Sequence, residues 1–288
     1  MHGNMNKVIV LGKTGMLGSM VERVLRESGG EVLGTQMDDA SAPGYFDVTH
    51  GIDALQKVVD ELGGCDYFVN CIGITANLMK NASPKMMDLA IRVNSVFPQE
   101  LSGFAESVSA KVLHMSTDGV FRLDRKDVKE DDPHDCLDAY GKTKSLGEAD
   151  AINVLNIRTS IIGPSPEIGG GLYEWFMSQP DGAEISGYTN QMWNGVTTRQ
   201  FAEFCARVMN EGAFEDVRRE GKACHFVPNE AVTKYKLLQI CKEVTKKNIV
   251  IKAREGEQVV ARTLISTSNV MRNFSPSVRG IRTAIHAL

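Results

Sequence analysis

A glycine-rich turn near the start of the chain restricts the fold more than any other feature of the sequence. The turn, Gly12-Lys13-Thr14-Gly15-Met16-Leu17-Gly18, follows the apolar run Lys7–Leu11, and apolar residues recur at helical spacing from Met16 to Arg26. Glycines let the backbone turn tightly beside a pyrophosphate, and a helix N-terminus offers free N–H groups and a partial positive charge. The segment predicts a strand, a dinucleotide-binding turn and a helix, with a glycine-rich turn that binds nothing as the alternative.

Strand-like and helical patterns then alternate through the first half of the chain. The strand-like segments are Glu31–Gly34, Tyr67–Asn70, Lys111–Ser116 and Asn153–Ile157, and the helical segments are Ile52–Leu62, Lys85–Ser107 and Asp138–Ala149. Such alternation is typical of βαβ units, which place parallel strands in one sheet with helices on both faces. The predicted fold class is therefore α/β, a doubly wound parallel-sheet Rossmann fold.

The composition changes beyond Gly163, where Pro164, Pro166 and the run Gly169-Gly170-Gly171 follow one another closely. We predict a dinucleotide-binding Rossmann domain over residues 1–163, to which residues 190–227 return. Residues 164–189 and 228–288 then form a smaller C-terminal α/β lobe that binds the substrate. The elements predicted in this half are a helix Thr198–Glu211, a strand Ala223–Val227, a helix Thr233–Thr245, a strand Asn248–Lys252 and a terminal helix after Pro276.

Charge and cysteine content argue against several classes of protein. The 288 residues carry a formal net charge of -4, which gives no general attraction to nucleic acid or to an anionic membrane surface. No apolar run reaches the length of a membrane span and no signal sequence is recognised, so the expected location is the cytoplasm. The cysteines form no C-x-x-C pair and no zinc-like group with histidine, so we expect neither a metal nor a disulfide; they are Cys65, Cys71, Cys136, Cys205, Cys224 and Cys241.

Tyr140 and Lys144 are four residues apart in a predicted helix and so share one face. A nearby cation favours the phenolate, so Lys144 is expected to lower the pKa of Tyr140 and make it a usable acid or base. Ser116 or Thr117, at the carboxyl end of the preceding strand, is expected to face the same cleft and to donate to a carbonyl oxygen. The alternatives are a solvated Tyr/Lys pair and hydroxyls that cap a helix.

The end of the second strand bears on which nicotinamide the turn accepts. An acid there binds the ribose 2′-hydroxyl and excludes a 2′-phosphate, but this strand ends in Leu33-Gly34-Thr35-Gln36. Lys13 is suited to meet a 2′-phosphate, which favours NADP (NADPH). Lys13 as a solvated loop residue is the alternative, and Asp38 is close enough to keep NAD open.

Together these motifs resemble the extended short-chain dehydrogenase/reductase superfamily and, within it, the dTDP-4-dehydrorhamnose reductase-like branch of nucleotide-sugar reductases. The resemblance covers nearly the whole chain. It rests on Gly12–Gly18, Phe46-Asp47-Val48-Thr49, Asn70-Cys71-Ile72-Gly73, Arg92-Val93-Asn94, Ser116-Thr117-Asp118-Gly119-Val120-Phe121, Tyr140–Lys144 and Arg158-Thr159-Ser160.

The resemblance implies roles for individual residues. Thr117, Tyr140 and Lys144 would be catalytic, with Asn94 ordering the lysine through water. The cofactor would lie along residues 12–18 and along Asp47, Val48, Asn70, Cys71, Ile72, Gly73, Asn94, Met115, Ser116, Tyr140 and Lys144. The sugar nucleotide would contact Thr117, Asp118, Trp193 and Arg262, with Trp193 lining the hexose pocket and Arg262 holding the diphosphate. Trp193 as an anchor of the lobe and Arg262 as a surface ion-pair partner are the alternatives.

The implied activity is reduction of the 4-keto group of a nucleotide-linked deoxyhexose, with dTDP-4-dehydro-L-rhamnose as the leading substrate. Related dehydratases carry an Asp-Glu pair where this chain has Asp118-Gly119, which favours reduction without dehydration. Gly119 also departs from the aromatic residue usual there in rhamnose-pathway reductases, which weakens the substrate assignment. Another nucleotide-sugar reductase or epimerase of surface-polysaccharide synthesis, or a regulatory relative that only binds the cofactor, remains an alternative. A homodimer is compatible with the resemblance.

Basic residues also gather at the two ends of the predicted helix Thr233–Thr245, in Lys234-Tyr235-Lys236 and Lys246-Lys247. Such patches are typical of a solvated face, and no partner is predicted for them. His114 and His225 lie in apolar strand patterns and are expected to be core residues, not ligands.

Overall fold

A computed structural model of the chain describes residues 6–166, 171–274 and 280–288. The strands are β1 (Lys7–Leu11), β2 (Glu31–Gly34), β3 (Tyr67–Asn70), β4 (Lys111–Met115), β5 (Val154–Arg158), β6 (Ile161–Ile162), β7 (Glu184–Tyr188), β8 (Met192–Trp193), β9 (Val196–Thr197), β10 (Ala223–His225), β11 (Val232–Thr233) and β12 (Val250–Arg254). The helices are α1 (Met16–Glu27), α2 (Leu55–Leu62), α3 (Ala76–Met79), α4 (Pro84–Ile91), α5 (Phe97–Ser107), α6 (Ala139–Leu146), α7 (Leu172–Ser178), α8 (Thr198–Asn210), α9 (Phe214–Glu220), α10 (Lys234–Thr245), α11 (Asn269–Phe274) and α12 (Ile281–His286).

Six of these strands form one parallel sheet in the order β10-β5-β4-β3-β1-β2. Alternate residues of β1 serve opposite faces: Val8 and Val10 pack with α1 and α8, whereas Ile9 and Leu11 pack with α2 and α5. The predicted doubly wound Rossmann fold is therefore confirmed. The chain leaves β1 toward β2 on one side and then crosses to β3 on the other, and in such sheets ligands bind at the carboxyl ends beside this reversal.

A smaller α/β unit is built from the later segments. Strands β7 and β12 pair in parallel, and α10 and α12 pack beside them around a second apolar cluster that includes Phe176, Trp193 and Leu237. Short pairs link this unit to the large sheet region, because β8 pairs with β11 and β6 pairs with β9. Strand β7 was not predicted from the sequence, since its hydrogen-bonding partner lies more than sixty residues further along the chain.

Several predicted elements differ in extent from the observed ones. The helix predicted from Ile52 begins as a 3-10 turn and becomes α2 only at Leu55. The helix predicted as Lys85–Ser107 consists of α4, a π-helical turn Arg92–Val96 and α5. The helix predicted to end at Ala149 ends at Leu146, before Gly147, a residue with a low helix propensity. Gly169-Gly170 and Pro276, which entered two other predictions, lie outside the described residues.

Within the three described ranges, no helix combines the length and the apolar character that a bilayer span requires. The six thiols are free, and burial raises the pKa of Cys65 to about 12.

Candidate active site

The glycine turn lies at the carboxyl end of β1, where the backbone bends directly into α1. Gly15 is the residue preceding the helix, and a side-chain carbon on Gly18 would lie 2.0 Å from the carbonyl oxygen of Gly12. Only glycine permits this approach of helix to strand. Thr35, at the end of β2, fixes the turn because its hydroxyl accepts from Gly12 N at 2.9 Å and its carbonyl accepts from Lys13 N at 2.9 Å. The first turn of α1 therefore presents its N–H groups at the edge of the sheet.

Lys13 lies across the end of β2, the position at which an acid would select a ribose hydroxyl. A side-chain carbon on Gly34 would meet Lys13 Cβ at 2.6 Å and Glu22 Cδ at 2.9 Å, so the lysine stem occupies the space that Gly34 leaves free. Gln36 is not available there, because its side-chain oxygen accepts from the backbone of Asp38 at 2.7 Å. The cation Lys13 and the carboxylate of Glu22, which is paired with Arg26 at 2.9 Å, therefore lie beside the end of β2.

The segments after β1 and β3 adjoin each other along the same edge. A side-chain carbon on Gly12 would lie 3.0 Å from Ile72 Cγ1. Asn70 holds the β3 segment, since its Oδ1 accepts from Ile72 N at 3.1 Å and its Nδ2 lies 3.1 Å from His114 Nδ1. Cys71 follows, and burial raises the pKa of its thiol, so it is a neutral group. Gly73 lies next to Asn94, whose Oδ1 is 3.5 Å from the position of a side-chain carbon there.

Asp47 and Val48 lie further out, between β2 and α2. Asp47 begins a 3-10 turn and accepts from Thr49 N at 2.8 Å and Thr49 Oγ1 at 2.7 Å. Burial acts to raise the pKa of Asp47, but these hydrogen bonds outweigh it and the pKa is lowered. The carboxylate is thus held ionised and oriented.

Asn94 joins the segment after β3 to helix α6. Its side chain accepts from Ile74 N at 2.8 Å and donates to Ile74 O at 3.0 Å and to Thr143 Oγ1 at 3.1 Å. Gly147 allows this contact, because a side-chain carbon there would lie 1.9 Å from Asn94 O. The π-helical turn is what directs Asn94 inward, where it is almost fully buried. Its observed contacts fix the position of α6.

Thr117 and Tyr140 meet beyond the end of β4. Asp138 caps α6 by accepting from Gly141 N at 2.8 Å, which sets the start of the helix and places Tyr140 in its first turn. Thr117 Oγ1 accepts from Gly119 N at 3.0 Å and lies close enough to the phenol to affect it. A side-chain carbon on Gly119 would be 3.0 Å from Tyr140 Cε1 and 3.2 Å from Thr117 Oγ1, so glycine lets the backbone after β4 lie close to both side chains.

The pKa of Tyr140 is raised, in contrast to the expectation from the sequence. Tyr140 is partly accessible as a whole residue, yet burial of its phenol is the largest cause of the rise. The Thr117 hydroxyl and the Arg262 guanidinium act in the opposite direction. The expectation that the pKa of Tyr140 is lowered is therefore wrong, and Arg262 is a cation that limits the rise. At neutral pH the phenol is protonated, which is the form that donates a proton.

Lys144 is turned toward the end of β4. It is 4 % exposed, and its Nζ donates to Met115 O at 2.7 Å. Burial lowers its pKa to about 8, although the carboxylate of Glu148 acts in the opposite direction. The ammonium group therefore titrates close to neutral pH.

Ser116 contacts a buried ion pair that the sequence analysis missed. Its hydroxyl donates to Glu148 Oε1 at 2.6 Å, so it points away from Thr117 and into the protein. Arg158, the last residue of β5, binds the same carboxylate with Nε at 2.8 Å and Nη2 at 2.7 Å. Both charged side chains are almost fully buried. The spacing of Tyr140, Lys144 and Glu148 at intervals of four residues was the available signal for this third group.

The remaining predicted residues lie where the smaller unit meets the large sheet. Arg262 Nε donates to Asp118 Oδ2 at 3.2 Å and its Nη1 donates to Phe121 O at 2.9 Å. Trp193 is 8 % exposed, packs within the apolar cluster of the smaller unit and donates from Nε1 to Ser160 Oγ at 2.9 Å. The structure thus places Asp118 and Arg262 beside Tyr140, whereas the contacts of Trp193 are those of an anchoring residue.

The assembled groups define what the site is able to do. A phenol with a raised pKa, a neighbouring hydroxyl and a buried cation lie at the carboxyl end of a parallel sheet, along the same edge as a helix N-terminus with a glycine turn. Such a site can hold a dinucleotide and deliver a proton to an oxygen atom. Within the described ranges, no group of three or more metal-binding side chains occurs.

Comparisons with known proteins agree with this architecture. The family model described as the RmlD substrate binding domain matches residues 5–273. The dTDP-4-dehydrorhamnose reductase of Streptomyces griseus is 31% identical over 148 residues, 51% of this chain and 45% of that protein. Spore coat polysaccharide biosynthesis protein SpsK of Bacillus subtilis (strain 168) is 30% identical over 145 residues, 50% of this chain and 47% of that protein. The matched region thus spans about half the length of these curated relatives.

Among the solved structures that resemble this chain is one that is similar over its full length. It is a dTDP-4-dehydrorhamnose reductase from Bacillus anthracis str. Ames in complex with NADP, with a TM-score of 0.77, 16% sequence identity and coverage of 100% of this chain and 98% of that chain. At this identity the likeness establishes the fold.

Replacement of Glu148 by Gln tests the buried ion pair. Glu148→Gln leaves the Arg158 charge without its counter-ion, so we expect the free energy of unfolding to fall by about 3–5 kcal/mol in urea titrations at neutral pH. Glu184→Gln, which removes an exposed ion pair with Lys252, is the matched control and should change it by less than about 1 kcal/mol.

The same pair has a defined pH dependence. Arg158 and Ser116 hold the pKa of Glu148 below its ordinary value of 4.5 against the effect of burial. The contribution of the ion pair to the free energy of unfolding is therefore complete above pH 4.5. It is lost as the pH falls through the lower pKa that Glu148 has in the folded protein. The difference between wild type and Glu148→Gln should shrink in acid; a difference that grows as the pH falls would contradict this account.

Proposed function

The chain belongs to the family described as the RmlD substrate binding domain, and from that premise we propose that it is an NADPH-dependent reductase of a nucleotide-linked 4-keto sugar. The single observation that carries the proposal is the protonated phenol of Tyr140 beside the Thr117 hydroxyl, at the ligand-binding edge of a Rossmann sheet. A general acid and a hydrogen-bond donor on one carbonyl oxygen are what ketone reduction requires.

The proposed chemistry divides between cofactor and protein. A bound reduced nicotinamide would supply the hydride that C4 of the hexose accepts. Tyr140 transfers its proton to the ketone oxygen, and Thr117 donates a hydrogen bond that stabilises the negative charge developing there. Lys144 holds the ribose hydroxyls and adds positive charge near the reacting oxygen. The products are the alcohol, the oxidised nicotinamide and a tyrosine that regains its proton from solvent.

The residues of this chain fit a dinucleotide. In the proposal, the N–H groups at residues 12–18 bind the pyrophosphate and the segment Asn70–Gly73 lies along the cofactor. Asp47 and Val48 lie at the adenine. Lys13 supports the choice of NADPH because its stem crosses Gly34 at the end of β2, where the strand itself carries no acid and the neighbouring Glu22 is paired with Arg26. Asn94 and Ser116 act indirectly in this proposal. The Asn94 side chain donates to Thr143 in α6, and the Ser116 hydroxyl donates to Glu148.

Among nucleotide sugars we propose dTDP-4-dehydro-L-rhamnose as the substrate. The Streptomyces griseus relative acts on this compound by name, and Asp118-Gly119 lacks the glutamate expected of a dehydratase. Asp118 is paired with Arg262 at 3.2 Å, and in the proposal Asp118 contacts the sugar while Arg262 contacts the diphosphate.

The activity is tested by mixing the protein with NADPH and a panel of nucleotide 4-keto sugars and following absorbance of the reduced nicotinamide. We expect turnover, and Tyr140→Phe should reduce kcat by about 100-fold to 10,000-fold because the proton donor is lost. Tyr67→Phe is the matched control: Tyr67 is a buried tyrosine at the amino end of β3, and its replacement should leave kcat unchanged. Cofactor binding with no turnover on any sugar would favour a regulatory binding protein.

Cofactor preference is tested at Lys13. Lys13→Gln removes the charge proposed to meet the 2′-phosphate, so the KM for NADPH should rise by about tenfold or more while the KM for NADH, which lacks that phosphate, stays within about twofold. NADH is the internal control in the same variant. Equal kcat/KM for the two cofactors in the wild-type protein would remove the role assigned to Lys13.

The pH dependence of reduction should report Lys144 and not Tyr140. Lys144 is charged below its pKa of about 8, whereas the pKa of Tyr140 is raised above its ordinary value of 10. The kcat/KM for reduction should therefore decline as the pH rises above about 8, because the lysine loses its charge first. Lys142 is an exposed lysine two residues before Lys144, and the control variant Lys142→Gln should show the same pH profile as the wild type. A profile that stays level until the ordinary tyrosine value would contradict this assignment.

A further inference from the structure

Lys234 is the first residue of α10 and belongs to the basic patch for which the sequence predicted no partner. It directly follows Thr233, which caps the helix by accepting from Lys236 N at 3.1 Å. Its backbone N donates to Gln191 O at 2.8 Å, and its Nζ donates to Gln191 Oε1 at 2.8 Å. The side chain is partly buried, whereas that of Lys236 two residues later is exposed. Lys234 is therefore held inward and is not part of a solvated face.

Three chain segments bring Lys234 close to the reacting groups. Strand β8 pairs with β11, which precedes Lys234, and Gln191 also forms a bridge with Val260 in the segment that carries Arg262. Burial lowers the pKa of Lys234, Asp118 raises it and Arg262 lowers it further, so its charge interacts with both of these groups. Asp118 in turn adjoins Thr117 and accepts from Arg262. The two cations and the carboxylate thus form one cluster, of which Asp118 and Arg262 act on the phenol of Tyr140.

The charge of this cluster is incompletely balanced. Arg262 and Lys234 contribute two positive charges, and Asp118, which is already bound to Arg262, contributes one negative charge. A partly buried ammonium group is costly unless it has an anionic partner. Lys234 has three donors, and across residues 6–166, 171–274 and 280–288 its ammonium group has a single hydrogen-bond acceptor, Gln191 Oε1. Donors and charge therefore remain for an anionic ligand.

We infer that Lys234 is a substrate-binding residue that, together with Arg262, holds the diphosphate of the nucleotide sugar. This inference rests on the proposed function, because it assigns part of the same substrate. The diphosphate carries the negative charge of such a substrate and lies between its nucleoside and its hexose. Arg262 offers a planar pair of donors and Lys234 a compact charge, which together suit adjacent phosphate groups. Asp118 keeps Arg262 oriented.

Binding of dTDP and UDP, measured by titration calorimetry against thymidine and uridine, tests this inference without turnover. Lys234→Gln removes the charge but keeps an amide that can donate to Gln191, so the fold should persist. We expect its affinity for the two diphosphates to fall by about tenfold or more, with the affinity for NADPH unchanged. Lys236→Gln removes an exposed charge from the same helical turn and should bind both diphosphates as the wild type does. Lys234→Arg, which restores the charge, should recover most of the affinity.

The outcomes separate this inference from the proposed function. Unchanged diphosphate affinity in Lys234→Gln, an equal loss in Lys236→Gln, or wild-type protein that binds diphosphates no better than nucleosides would overturn it. If keto-sugar reduction occurs and Lys234→Gln keeps its KM, the inference alone fails. If diphosphate binding depends on Lys234 but no keto sugar is reduced, the proposed function fails and the inference stands. Should Lys234→Gln unfold, Lys234→Arg and the salt dependence of wild-type diphosphate binding decide it, since a charge-driven site weakens as salt rises.

Discussion

The buried ion pair between Glu148 and Arg158 is the interaction on which the candidate site depends. Glu148 follows the end of α6, Arg158 ends β5, and the same carboxylate receives the hydroxyl of Ser116 at the end of β4. Two adjacent strands and the Tyr140 helix are thereby joined at one point. A buried charge is costly without its partner, so displacement of α6 or β5 would leave a buried charge uncompensated. Displacement of β4 would remove the hydrogen bond from Ser116 to the carboxylate. The positions of Thr117 and Lys144 follow from this restraint.

A second set of contacts makes the site a product of both parts of the fold. Arg262 comes from the C-terminal segment, yet it binds Asp118 and Phe121 O beside the end of β4. Asn194 supports that segment by donating to Leu264 O at 2.7 Å. Burial raises the pKa of Tyr140, and Arg262 limits the rise. The smaller unit thus influences the pKa of Tyr140 and brings two cations close to Asp118.

Local patterns predicted a large share of the fold. The apolar runs of β1 and β3, the glycine turn and the capped helix α6 each follow from residues adjacent in sequence, and they were found close to the predicted bounds. What local patterns could not predict depends on distant partners. Strand β7 forms because β12 pairs with it, and Ser116 turns inward because Glu148 and Arg158 lie behind it. The sequence left Trp193 open as a pocket residue or an anchor of the lobe, and its observed contacts are with Ser160 and the core of the smaller unit.

By itself, the sequence determined the doubly wound sheet, the glycine turn and the candidate acid with its lysine, because each depends on the conformation of one short segment. Tertiary structure decided the chemical state of those groups. It buried the phenol of Tyr140 and raised its pKa, lowered the pKa of Lys144 to about 8, and placed Arg262 and Lys234 beside Asp118. The reason is physical: protonation and charge depend on desolvation and on neighbours in space, and these are fixed only when segments far apart in sequence pack together.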